Sequence, residues 1–93
     1  IIVTNYLYRP RIKDLASFLK KGGVLFYETF AVGNENYGRP INPNYLLRDK
    51  ELIDIFKGKC EILYYFQGKV VNDKTSIIQR CSLKKRPLKI RSL

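Results

Sequence analysis

IIVTNYLYRPRIKDLASFLKKGGVLFYETF, Ile1 to Phe30, is the stretch whose reading decides the fold. Ile1-Ile2-Val3-Thr4 is β-branched throughout and apolar at both odd and even positions, the pattern of a parallel strand covered on both faces. Pro10 suits a first helical turn, and Ile12, Leu15, Ala16 and Leu19 then recur at i, i+3, i+4 and i+7, which gives a helix one apolar face. Gly22 and Gly23 stop that helix, and Val24-Leu25-Phe26-Tyr27 reads as a second buried strand. Strand, helix and strand within about thirty residues form a βαβ unit, so the two strands are expected to lie parallel around a right-handed crossover.

Outward from this unit, residues 30–47 carry Gly33, Gly38, Pro40, Pro43 and little periodicity, and read as a long loop. Loops of that length in small domains are often functional, which makes this one a candidate lid. Asp49 is placed to cap a helix running to about Lys57, with Leu52, Ile55 and Phe56 inward and Gly58 as its stop. Glu61 to Phe66 and Ser76 to Leu83 flank Gly68 and Asn72-Asp73, which suggests an antiparallel hairpin with a long connection. The fold class is α/β: a domain over residues 1–83 and a basic tail over 84–93.

Bulk composition agrees with one small domain, since the 93 residues are 45% hydrophobic and 28% charged. The chain opens on Ile1 inside an apolar run and contains no Met, which reads as a truncated start. No apolar run approaches the roughly 20 residues of a membrane span, so no membrane partner is expected. Cys60 and Cys81 fit no metal-ligand spacing and read as reduced structural thiols, which favours a cytoplasmic home. His is absent, which removes Ser-His and Cys-His pairs and His-based metal sites, and no metal is expected. Half of the net charge of +10 comes from Lys84, Lys85, Arg86, Lys89 and Arg91. A solvated tail is the plainer reading of these cations; a nucleic-acid patch is the alternative.

Ligands of open α/β sheets bind beyond the carboxyl ends of the strands. Asn5, Tyr6, Tyr8 and Arg9 follow the first strand and Glu28, Thr29 and Phe30 the second, so parallel pairing gathers both clusters at one edge. VTNYLYRP (Val3 to Pro10), GGVLFYETFAVGNENYGRPINPNYLL (Gly22 to Leu47) and SIIQR (Ser76 to Arg80) together carry a resemblance. They are similar to a bacterial class I, S-adenosylmethionine-dependent methyltransferase family of the tellurite-resistance, TehB-like type, and fragments of its pattern cover most of the chain. The resemblance implies the C-terminal half of a Rossmann-like fold, in which the first two strands here are the family's fourth and fifth and the terminal hairpin its sixth and seventh.

It also implies an absence. The family's Gly-rich cofactor loop and ribose-binding acid belong to earlier strands, and Gly22-Gly23 precedes a strand instead of opening a helix. The chain is therefore expected to be inactive alone, its partners being a missing N-terminal half and a small-molecule or undetermined methyl acceptor. By resemblance, Asn5 and Tyr6 border the methionine portion of S-adenosylmethionine and the acceptor. Methyl transfer disperses positive charge and needs mainly orientation and exclusion of water. Glu28 can take a proton from the acceptor or balance the sulfonium, or can simply pair with Arg39 or Arg9. Tyr6 and Tyr27 can form an aromatic wall for a cationic donor, or plain packing. Tyr8, Arg9, Thr29, Arg39 and Asn42 are the remaining candidates for acceptor contacts, Arg39 as a guanidinium for an anionic group or as a loop anchor. Gln79 and Arg80 are expected to face solvent or a neighbouring strand. Two alternatives stand beside the fragment reading: a basic nucleic-acid-binding module, or an RNA-directed methyltransferase fragment, and a gene remnant without activity.

Overall fold

The computed structural model describes residues 1–87. Strand β1 (Ile2–Thr4) is followed by two single-turn helices, α1 (Arg9–Ile12) and α2 (Leu15–Phe18), and then by β2 (Val24–Phe30). Helix α3 (Glu51–Phe56) leads into a hairpin of β3 (Cys60–Val71) and β4 (Thr75–Lys85). The four strands form one mixed sheet in the order β1-β2-β4-β3. β1 runs parallel to β2, with Thr4 beside Glu28, and β4 lies antiparallel to both β2 and β3. The chain is thus a small α/β domain whose sheet is parallel only at its β1 edge.

All three helices pack on one face. Leu25 and Tyr27 of β2 and Cys81 and Leu83 of β4 meet Ile12, Ala16, Leu19, Leu52 and Phe56 in a single core. The expectation that β1 is covered on both faces does not hold: Ile2 is 77% exposed, because it points to the face that no described helix reaches. The apolar spacing of the first helix is right, but the helix is not continuous. Lys13 and Asp14 take tight dihedrals with ψ near −20°, and Asp14 N–H to Arg11 and Ser17 N–H to Asp14 are i to i+3 bonds, so the helix tightens and breaks at that point. It ends at Phe18, and Gly22, at φ 78°, turns the chain into β2.

The N-terminus of α3 also differs from its sequence reading. Asp49 does not cap it; Lys50 enters the helix in the left-handed region, and the Leu52 N–H is taken by Gln79 Oε1 at 2.8 Å. Of the two positions expected for Gln79, solvent does not hold and the neighbouring strand does: it is buried, and its amide donates to Gln67 of β3 at 3.2 Å and to the Arg48 carbonyl at 2.8 Å. The terminal hairpin is longer than its apolar pattern suggests and its connection shorter, only Asn72 to Lys74. Gly68 lies inside β3, and Lys84 and Lys85, read as tail, end β4. Lys89 and Arg91 lie outside the described residues.

Residues 31–47 form a closed excursion. Leu47 N–H donates to Phe30 and Val32 N–H to Leu47, both at 2.9 Å, pinching the base. Inside it, two 3-10 turns (Asn34–Asn36 and Pro43–Tyr45) give local order. Buried Asn34 ties the loop to the sheet, accepting from Ile77 N–H at 3.1 Å and donating to the Pro40 carbonyl at 3.3 Å.

Candidate functional site

Parallel pairing brings the two strand tips together. Asn5 leaves β1 in the left-handed region, φ 55°, where its N–H donates to the Glu28 carbonyl at 2.9 Å. The turn this creates lifts Tyr6 and Tyr8 outward, 59% and 51% exposed, while Leu7 between them is buried. Tyr27 sits below, buried in the core, and its hydroxyl donates to the Tyr6 carbonyl. Burial pushes the Tyr27 phenol up to about 12, reinforced by Tyr6 and Glu51, so it remains a neutral donor and not a base.

Between β1 and the two short helices lies a cleft of about 200 Å³. Tyr6, Tyr8, Tyr27 and Phe18 supply its aromatic walls, Val3, Ile12 and Leu15 its aliphatic part. Arg11 and Asp14 stand at the rim, joined at 2.8 Å. Three of the candidates read from the sequence, Tyr6, Tyr8 and Tyr27, thus share one cavity. Asn5 is next to it through the backbone.

The other candidates go elsewhere. Glu28 is beside the cleft along the chain but points to the opposite face of the sheet, where its carboxylate takes the Arg80 Nε–H at 2.6 Å. Neither Arg9 nor Arg39 is its partner, and the bond to Glu28 raises the Arg80 pKa above its ordinary value. Thr29 is 2% exposed, paired across the ladder with Gln79 and closed to a ligand. Arg9 is engaged internally: Nε and Nη2 grip both oxygens of Glu51 at 2.7 and 2.9 Å, and the remaining donors reach the carbonyls of Asn44 and Leu46. Arg39 and Asn42 do meet, with Tyr45, in a separate open groove on the 31–47 excursion. Asn42 Oδ1 there accepts from Asn44 N–H at 2.9 Å.

Glu51 is the charged residue that sequence reasoning missed. Burial raises its carboxyl, but the Arg9 hydrogen bond and the Arg48 N–H outweigh that cost and leave it below the ordinary carboxylate value. Nothing in the helix pattern marks Glu51 as inward, because its partner is forty-two residues away.

The cleft is too small to enclose a whole nucleoside sulfonium. Its volume is below the roughly 300 Å³ at which sites for drug-sized ligands begin. Its electron-rich rings suit a cation. The one carboxylate on it, Asp14, is already bonded to Arg11, so no described residue of the cleft is placed to hold a ribose. No family model matches the chain, and no curated protein is found similar to it. Among the described residues no helix is long and apolar enough to cross a membrane.

Proposed function

We propose that this chain is the C-terminal half of a Rossmann-like, S-adenosylmethionine-dependent methyltransferase of the TehB-like type, acting on a small-molecule acceptor and inactive by itself. The observation that carries this reading is the aromatic cleft at the carboxyl end of the parallel β1–β2 pair, where ligands of such sheets bind. S-adenosylmethionine, when bound, supplies an electrophilic methyl group.

In this reading Tyr6 and Tyr8 orient the acceptor and the methionine end of the donor, and their rings favour its positive charge. Tyr27 holds the Tyr6 backbone in place through its hydroxyl. Asn5, in its left-handed turn, sets the direction in which both tyrosines leave the strand. Glu28 takes no proton from the acceptor: it bridges β2 to β4 through Arg80, on the face away from the cleft. Catalysis then rests on positioning and exclusion of water, without a general base.

Calorimetric titration tests both parts of the proposal. S-adenosylmethionine added to this chain alone is expected to give no heat, while the full-length protein of the same reading frame is expected to bind it. Micromolar binding by the chain alone overturns the half-site part; no binding by the full-length protein overturns the methyltransferase reading. Reading the coding sequence upstream of Ile1 for a strand, a Gly-rich turn and an acidic residue is a cheaper check.

A further inference from the structure

The sheet face away from the helices has a chemistry of its own. Phe26 on β2, Tyr64 and Phe66 on β3, and Arg80 and Lys84 on β4 occupy facing ladder positions there. The tip of the Phe66 ring reaches Gly68: a Cβ at position 68 would stand 3.2 Å from the ring's Cζ, so the glycine leaves room for the ring there. The Arg80 guanidinium is 5.9 Å from the centroid of that ring and is fixed by Glu28 at 2.6 Å. Tyr64, one ladder position nearer Lys84, is 49% exposed.

Cations converge at the end of this face. Lys85 N–H donates to the Gly23 carbonyl at 2.8 Å and Arg86 N–H to the Lys59 carbonyl at 3.1 Å, so three distant segments of chain meet there. Lys20, Lys21, Lys59, Lys84 and Arg86, all exposed, are gathered by that meeting. Glu61, opposite Lys84, is an acid on this end, and Lys57 is offset by Asp54 at 3.6 Å. The sequence shows these cations as separate runs and a tail; the pairing of their segments brings them to one end of the sheet.

We infer that this face is a docking surface for a single-stranded nucleic acid, with a base stacked on Tyr64 and phosphates on the cations around Lys84. A half-exposed aromatic side chain on a sheet face that no described helix covers, flanked by basic side chains, matches an unstacked base and its backbone. A duplex hides its base faces from such a ring. An anionic bilayer would meet the cations as well, and vesicle binding separates it from a nucleic acid. The inference is independent of the methyltransferase reading, because Tyr64, Phe66 and Lys84 lie outside the cleft.

Fluorescence anisotropy with a labelled oligouridine tests it on the whole chain, with a duplex of equal length and phosphatidylserine vesicles as the other arms. Oligouridine is expected to bind at about 50 mM salt, with log K falling against log salt at a slope of about −2, for roughly three phosphates engaged. Tyr64→Ala, at a half-exposed position whose loss opens no core, is expected to weaken binding about tenfold at unchanged thermal stability. Lys84→Glu with Arg86→Glu is expected to flatten the slope by about one unit or more. No binding of oligouridine, equal affinity of Tyr64→Ala and the parent, or duplex or vesicle binding as tight as that of oligouridine would each overturn the inference.

Discussion

The Arg9 guanidinium grips Glu51 with two donors and the backbone of the 43–46 turn with others, so one side chain after β1 holds both the excursion and α3. Its partner is nearly buried, with 9% of the Glu51 side chain exposed, which makes the pair asymmetric: losing Arg9 strands a carboxylate, while losing Glu51 frees a partly solvated cation. Arg9→Ala is expected to destabilise by about 2–4 kcal/mol, read as a lowered denaturation midpoint. The pH dependence has a definite sign. Glu51 titrates below its ordinary 4.5 in the folded chain, so its stabilisation is complete above that value and is lost as pH falls through the folded pKa. Glu51→Gln is expected to be less stable than the parent at neutral pH, with the difference narrowing below about pH 4.5. A constant difference across that range would remove Glu51 from the acid limb. At this scale the sequence is a poor guide. Arg9 reads as a ligand contact because it sits at a strand tip, and only the fold shows that its donors are already taken.

Among the elements, the βαβ unit was the most legible, because β-branched runs and an i, i+3, i+4, i+7 face are local patterns that burial on one side preserves. What escaped is where local pattern meets distant chain. The helix break at Asp14 comes from i to i+3 bonds that leave the apolar face intact, so the periodicity carries no trace of it. Gln79 is a polar residue amid apolar neighbours, and its burial follows from α3, whose first turn it completes. The cleft was half legible, since strand order alone brings Asn5 and Tyr6 to the β2 tip, but alternation along β2 sends Tyr27 and Glu28 to opposite faces. Gln79→Leu tests the link between α3 and the sheet. It keeps the volume but leaves the Leu52 N–H unpaired and removes one of the two donors to the Arg48 carbonyl, which keeps the Glu51 N–H, at a cost of about 1–3 kcal/mol. Hydrogen exchange at the Leu52 amide is expected to accelerate more than exchange in the centre of β2. Equal acceleration at both places would mean that the residue supports the whole core and not the attachment of α3.

Among the described residues the molecule is a sheet with helices on one side only, and it is elongated. Its radius of gyration is 14.4 Å, with extents of 53 × 24 × 19 Å, against about 12 Å for a compact chain of this length. Along its thin edge, β1 is paired only with β2 among the described residues, and Ile1 and Ile2 stand exposed beside it. An unpaired strand edge with apolar flanks is a template for association. A net charge of +10 opposes that association, because two copies meeting edge to edge repel each other. The balance is set by screening, whose length shrinks from about 30 Å at 0.01 M salt to about 8 Å at physiological strength. Sedimentation equilibrium is therefore expected to give a mass near 10.9 kDa at low salt and a rising average mass as salt is added, the opposite of the salt dependence of nucleic-acid binding. Ile2→Lys places a charge on the exposed flank of the edge and is expected to keep the chain monomeric throughout. A parent chain that stays monomeric at every salt concentration would show that three residues of open strand are too short a template, and that the bare face is stable in water as it stands.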